Sequence, residues 1–197
     1  MEKYGAGTIV VCDYDPGWPA LFEQESARIK SALGSFVLAI EHAGSTSVPG
    51  LPSKPIIDLL VGVRSFGDAK ELCVGPIVKL GYVYIPQYES WLPNELFFRK
   101  GPPGPWTHHV HLMEPSCPRW EAILLFRDYL RAHPDAARAY ANIKRSLAAS
   151  SIDDIEAYRT GKNTFVEETT AKARAWRAMN AVNDSVASST TKSASSS

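Results

Sequence analysis

Between Ile56 and Val63 the chain reads Ile-Ile-Asp-Leu-Leu-Val-Gly-Val, an apolar run interrupted by one charge. Such a run predicts a strand covered on both faces. Shorter stretches rich in aromatic and β-branched residues predict strands over Thr8–Cys12, Phe36–Glu41, Tyr82–Ile85, Leu96–Lys100 and Thr107–Met113. Trp18, Phe22, Glu25, Ile29 and Leu33 recur at helical spacing. Asp15 is expected to cap that helix, with Pro16 in its first position and Gly34 ending it. A short helix is expected around Asp68–Leu80, weakened by Gly75-Pro76. Gly101–Pro105 must be a turn or loop. From Pro118 to about Asn180 the pattern predicts three helices, beginning near Pro118, Pro134 and Asp153. Their apolar positions include Leu124, Leu125, Tyr129, Tyr140, Ile143, Leu147, Tyr158, Phe165 and Trp176. The expected class is therefore α+β: a mixed sheet over about 8–115, a helical bundle over about 118–180, and one early helix packed on the sheet. Residues 1–180 read as a single domain.

Composition sharpens this picture at a few points. The stretch 181–197 is rich in Ser and Thr and has no aromatic residue. It buries too little to offset ordering, so a disordered tail is expected. The whole chain has 197 residues, 45% of them hydrophobic, with 21 basic and 21 acidic side chains. That is the make-up of a soluble globular domain, and zero net charge argues against a broad nucleic-acid coat; no DNA partner is expected. No apolar run is long enough to cross a membrane, and residues 1–7 lack an apolar signal core. Cys12, Cys73 and Cys117 are odd in number and widely spaced, which fits reduced thiols and a cytoplasmic location. Residues 1–60 hold seven acids and four bases, whereas 119–180 hold eight acids and eleven bases. The gradient is mild and fits chance as well as an anionic ligand held between the halves.

The densest chemistry lies in Glu41-His-Ala-Gly-Ser-Thr-Ser-Val-Pro-Gly-Leu-Pro-Ser-Lys-Pro-Ile-Ile-Asp58. This segment leaves one strand and enters the next. Gly44 removes a side chain where backbone must approach a ligand. Ser45, Thr46 and Ser47 offer hydroxyls and amides that can cradle phosphate oxygens, and Lys54 adds a cation. Asp58 sits in an apolar strand, where a lone carboxylate is costly to bury. It needs a partner, and a metal ion would serve. An ordinary polar loop between strands would look much the same up to Asp58.

Trp106-Thr-His-His-Val-His-Leu-Met-Glu114 is the second constellation. Residues two apart share a strand face, so His109 and His111 point one way and His108 the other. Paired imidazoles can bind a metal, move protons or contact phosphate, or simply hydrogen-bond within a half-buried sheet. Spacing alone makes a weak case for zinc. Arg127 and Arg131 are four apart and share a helix face, Lys144 and Lys162 fall in helices, and Arg99 lies on a strand. Arg99, Arg127 and Lys162 are candidate anion contacts. Trp18, Phe22, Tyr129 and Tyr140 read as core.

Together, HAGSTSVPGLPSKPIIDLLVGV, HHVHL, FRDYLRAHPDAARAYANIK and YRTGKNTFV resemble the GrpB family over about Val10 to Val166. Members of that family also occur fused to dephospho-CoA kinase. The resemblance implies a fold similar to the nucleotidyltransferase superfamily, in which a Gly-Ser after a strand holds nucleotide phosphates and carboxylates hold Mg²⁺. It matches Gly44 and Ser45 to the Gly-Ser, and Asp58 to the first metal-binding carboxylate. The second carboxylate would lie two residues later, where this chain has Leu60. His109 and His111 could replace it, which would favour softer ions such as Mn²⁺ or Zn²⁺ over Mg²⁺.

Three functions follow as expectations. One is a transferase that moves a nucleotidyl or phosphoryl group with Mg²⁺ or Mn²⁺, its catalytic and metal-holding residues Asp58, His109 and His111. Gly44, Ser45, Thr46, Ser47, Lys54, Arg99, Arg127 and Lys162 would bind the nucleotide or nucleotide-bearing substrate. Another is acyl transfer from an aminoacyl-tRNA to an amine, with His109 or His111 as base and the amides after Gly44 steadying an oxyanion. The third is a non-catalytic nucleotide-binding module, for which Leu60 argues.

Overall fold

The computed structural model describes residues 9–102, 106–150 and 154–194. Five strands make one sheet: β1 (Val37–Ala43), β2 (Ile57–Val63), β3 (Tyr82–Tyr84), β4 (Leu96–Lys100) and β5 (His108–Met113). They lie in the order β1-β2-β5-β4-β3. β2 runs parallel to β5, and the other neighbours pair antiparallel. The fold is thus α+β with a mixed, open sheet, as the pattern of strands and helices predicts.

Side-chain alternation gives the sheet two unlike faces. Ile57, Leu59, Val61 and Val63 of β2 join Val110 and Leu112 of β5 and Leu96 and Phe98 of β4 on one face. That face is covered by Trp18, Phe22, Ile29 and Leu33 of α1 (Trp18–Leu33) and by Ala69, Cys73 and Ile77 of α2 (Phe66–Lys79). Each of the larger side chains contributes about 2 kcal/mol by leaving water. Glu25 is the one acid on the buried stripe of α1, and Lys100 Nζ at 2.6 Å holds its carboxylate. On the opposite face Ala43, Leu60 and Met113 pack against Trp120 of α3 (Pro118–Ala132). Past Trp120 that face is left open, and there the polar residues gather.

The helical layer contains α3, α4 (Pro134–Ser150), α5 (Ile155–Thr160) and α6 (Asn163–Ala194). The third expected helix is therefore two. They part at Gly161, where a Cβ would stand 2.6 Å from Leu147 Cδ2, so any larger residue would make Leu147 of α4 shift. Backbone helix continues to Ala194, into the Ser-rich stretch expected to be disordered; 181–194 holds no Gly or Pro to stop it. Residues 195–197 lie outside the described residues, as do Thr8, 103–105 of the Pro-rich loop and Asp153.

Other boundaries differ for local reasons. The run ending at Cys12 makes only an isolated bridge to Ser53, and Ile9 packs instead on Ala148 and Tyr158. Asp15 does not cap α1 itself; its Oδ1 accepts from Gly17 N at 2.7 Å and shapes the turn before Trp18. α2 runs through Pro76, whose missing N–H would have served Leu72, an exposed position that water can reach. β1 extends to Ala43, two residues beyond its expected end, because it keeps pairing with β2 as far as Asp58. Among the described residues no helix is long and apolar enough to cross a membrane.

Two contacts can be tested. A Cβ on Gly62 would lie 2.8 Å from Pro115 Cγ and 3.0 Å from Trp120 Cη2. Gly62→Ala should therefore cost about 2 kcal/mol through overpacking, lowering the melting temperature by about 6 °C; an unchanged melting curve would refute that packing. His42 is buried, stacks on Phe22 with ring centroids 4.7 Å apart, and gives Nε2–H to Thr46 Oγ1 at 3.1 Å. Burial lowers it from 6.5 to about 4, with Asp58 opposing the shift and Arg131 and Arg127 adding to it. Between those values the unfolded chain takes a proton that the folded chain refuses. The stability contribution is thus complete above pH 6.5 and falls as pH drops toward 4, by about 3 kcal/mol in all. His42→Gln should flatten the slope of unfolding free energy against pH in that window.

Candidate functional site

The open face is organised by register. Parallel pairing sets Asp58 of β2 beside His109 of β5, and antiparallel pairing sets Arg99 of β4 beside His109. One row along, Leu60, His111 and Phe97 stand abreast. Alternation then aims Asp58, His109, His111, Phe97 and Arg99 to the same side. They line a cavity of about 560 Å³ between the sheet and the helical layer.

Gly44 is what lets the backbone close on Asp58. It ends β1 with φ +66°, and a Cβ there would run into Asp58 Oδ2. The chain then makes a short 3₁₀ turn over Ser45–Ser47. Ser45 lines the cavity beside Asp58. Thr46 and Ser47 do not serve it as expected. Both are buried, Thr46 giving its hydroxyl proton to Ile56 O and Ser47 to Gly44 O. Their hydroxyls are spent on holding the turn.

Asp58 Oδ1 accepts from His109 Nδ1 at 3.2 Å and lies 3.7 Å from His111 Nε2. His111 Nδ1 meets Glu95 Oε1 at 2.6 Å, and Glu95 Oε2 accepts from Arg119 Nε, also at 2.6 Å. Burial alone would raise Asp58, but the hydrogen bond from His109 and the close imidazole of His111 hold it well below the usual carboxylate range. Burial works against charge on His111 too. The charge of Glu95, its hydrogen bond to His111 and the nearby Asp58 outweigh this and raise it to about 9. Burial is the larger influence on His109 and lowers it, despite its bond to Asp58. With Nδ1–H committed to Asp58, His109 keeps its lone pair on Nε2, a buried atom without a hydrogen-bond partner.

Asp58, His109 and His111 also form a candidate metal-binding triad. One ligand atom from each lies within 4.8 Å of the others. The donor set suits a divalent transition ion better than Mg²⁺. His111 has the support that metal-bound histidines need, because Glu95 orients the ring through the other nitrogen. A bound cation would displace the His111 proton.

Cations face this floor. Lys54, Arg99, Arg119, Lys144, Arg159 and Lys162 all line the cavity. Lys162 comes from the turn between α5 and α6 rather than from a helix. Arg99 Nη2 donates to Tyr88 OH at 2.7 Å, and its guanidinium lies over Phe97. Arg127, expected among the anion contacts, is elsewhere. It bonds Glu41 Oε2 at 2.8 Å, His42 O at 3.1 Å and Asp128 Oδ1 at 2.7 Å, and lines a separate cavity of about 1090 Å³. Arg131 shares that cavity, as the four-residue spacing implied, and clasps Ser47 O through Nε and Nη2.

Sequence reasoning missed Glu95, Arg119 and Arg159, and noted Lys144 on its helix without assigning it to the site. Glu95, Phe97 and Arg99 alternate at the edge of the β4 pattern, which could have placed Glu95 on the face of Arg99. Lys144 lies four residues after Tyr140 on the buried stripe of α4, a position where a lysine needs a reason.

The family described as GrpB protein matches residues 8–172. The chain is 39% identical over 177 residues to the UPF0157 protein YqkA of Bacillus subtilis, a match that takes in 90% of this chain and 50% of YqkA. It thus spans half the length of that relative. A protein named dephospho-CoA kinase from Mycolicibacterium paratuberculosis is 32% identical over 82% of this chain and 44% of its own length. The crystal structure of the conserved protein GrpB from Enterococcus faecalis superposes with a TM-score of 0.77 and 36% identity, covering 85% of this chain and 99% of that one. By sequence and by fold, the chain belongs to the GrpB family.

Proposed function

We propose that the chain is a transferase that moves a nucleotidyl or phosphoryl group, acting on a nucleotide or nucleotide-bearing substrate with a divalent metal, Mn²⁺ in preference to Mg²⁺, at Asp58, His109 and His111. One observation carries this reading: a carboxylate and two imidazoles are faced by lysines and arginines across a single cavity. That is the charge layout a phosphate ester bridged to a metal requires. The kinship with a protein named dephospho-CoA kinase supports a nucleotide-related role, and the superfamily resemblance of Gly44, Ser45 and Asp58 supports the same role.

The metal would neutralise and orient phosphoryl oxygens. Asp58 supplies the anionic ligand, and His109 and His111 the neutral ones. Ser45 offers its hydroxyl to the phosphates next to the turn at Gly44. Lys54, Arg99 and Lys162 hold the negative charge that builds as the bond to the leaving group lengthens. Glu95 and Arg119 position His111 without touching the reacting atoms. A cytoplasmic setting fits the free thiols of Cys12, Cys73 and Cys117.

A second reading rests on Leu60, buried where a second carboxylate would stand, and on the unpartnered Nε2 of His109. Those features suit metal-free acyl transfer from an aminoacyl-tRNA, with His109 as general base toward an attacking amine.

Titration of Mn²⁺ and then ATP, followed calorimetrically, separates these readings. ATP should bind more tightly with the metal present than without it, and Asp58→Asn and His109→Ala should each weaken Mn²⁺ binding at least about tenfold. Nucleotide binding absent under every metal condition sinks the first reading. RNA that co-purifies, with a metal-independent activity abolished by ribonuclease, supports the second. If Asp58→Asn and His109→Ala fold normally and leave every cellular phenotype intact, the cavity is a binding module. Glu95→Gln keeps the shape of the buried group but removes its charge. It should lower Mn²⁺ affinity by about 10- to 100-fold although Glu95 touches no ion.

A further inference from the structure

Three lysines from three different elements converge on the site cavity. Lys54 follows Ser53, whose backbone is pinned to Cys12 by paired hydrogen bonds of 2.9 Å. Lys144 comes from α4 and Lys162 from the turn between α5 and α6. Their immediate partners are neutral. Lys144 Nζ donates to Pro52 O and lies 4.7 Å from the ring centre of Tyr140. The ammonium groups of Lys54 and Lys162 lie 5.1 and 4.5 Å from the ring centre of Tyr158. Ring faces and a carbonyl hold a cation in place without cancelling its charge. Among the described residues no carboxylate forms an ion pair with any of the three; Asp58 acts on Lys54 and Lys162 only through space.

The crowding is costly. Burial lowers Lys144 to about 7, with Lys162 the next cause, and lowers Lys162 to about 8, with Lys54 the next. Lys144 is 2% exposed, a rare position for a lysine without an acid. A surface that simply solvates its charges would not bury one of them or press them together. An anionic ligand would supply the missing negative charge and hold all three lysines protonated.

Granting that the cavity binds phosphate as proposed above, we infer that Lys54, Lys144 and Lys162 form a polyphosphate clamp, so that the substrate carries at least two linked phosphoryl groups. A single phosphate ester brings about two negative charges at neutral pH, whereas keeping Lys54, Lys144 and Lys162 all protonated on their separate elements calls for more. A diphosphate or triphosphate can span them while its other end reaches Ser45 and the floor at Asp58. The aromatic rings beneath the lysines keep the ammonium groups turned toward the ligand and limit the number of rotamers they lose on binding.

Pyrophosphate and orthophosphate, each titrated into the full chain with a chelator present, test the clamp apart from any metal. Pyrophosphate should bind more tightly by at least about tenfold, the size of one or two charge-assisted hydrogen bonds. Lys162→Gln and Lys54→Gln should each remove most of that preference while leaving the melting temperature near the wild-type value. Lys144→Met should do the same, but its buried site makes it the variant most exposed to misfolding, so the other two decide. Equal affinity for the two anions overturns the clamp and leaves a phosphate-binding cavity standing. Binding of ATP with metal but of neither anion without it also overturns the clamp and leaves the transferase reading intact. If no phosphate compound binds under any condition, the clamp and that reading fall together.

Discussion

A carboxylate placed inside an apolar sheet must be matched by partners, and Asp58 sets that demand here. Left alone, its charge would be neutralised or the strand would not form. His109 and His111 satisfy it from the neighbouring strand, Glu95 then balances the charge on His111, and Arg119 balances Glu95. Each partner is itself too buried to stand unpaired, so the string extends until it reaches Arg119, which is partly exposed. Chains of this kind rigidify a site because no member can turn without stranding the next. The backbone obeys the same demand: Gly44 adopts positive φ beside Asp58, where any side chain would collide with the carboxylate.

The segment from Gly44 to Lys54 forms a wall between two cavities. On one side Gly44, Ser45, Ser53 and Lys54 face Asp58; on the other Ser47 and Pro49–Pro52 face Arg127 and Arg131. Two features hold the wall. Arg131 grips Ser47 O from α3, and Lys144 reaches Pro52 O from α4. Val48 and Leu51 insert between Leu130 and Tyr140 below them. The loop is thus a packed element held by the helical layer, which explains why Thr46 and Ser47 have no hydroxyl to spare for a ligand. The helical layer that anchors the wall also brings Lys144 and Lys162 to the site, so it sets the shape of the cavity and part of its charge.

Much of this was legible in the sequence. The apolar run around Asp58 and the alternation through His109 and His111 were enough to bring those three residues together, because strand periodicity fixes which way a side chain points. Pairing order was not legible: nothing in the chain states that β5 lies between β2 and β4, and that order puts Arg99 and Glu95 beside the histidines. Helix-borne residues were hardest to place. Arg127 and Lys144 both look like charges on an amphipathic helix, yet one turns to the larger cavity and the other to the site. The difference arises from how α3 and α4 rest on the loop, a tertiary fact with no local signature. Gly161 hides a similar one, since a lone glycine in a helical pattern rarely reveals which neighbour needs the space.

Leu60 remains the most telling departure. The position faces Trp120 and Met113 in a fully apolar cluster, so a carboxylate there would meet no partner without moving α3. The site has instead gathered its second negative charge at Glu95, one residue before β4 and on the far side of His111. The consequence is chemical. Two carboxylates side by side would hold a hard ion by charge, whereas one carboxylate with two oriented imidazoles selects an ion by geometry and softness. Positive charge likewise lies off the sheet, at Lys54 in the loop between β1 and β2 and at Lys144 and Lys162 in the helical layer. The cavity thus brings together a carboxylate and two imidazoles from the sheet with lysines from the loop and the helical layer.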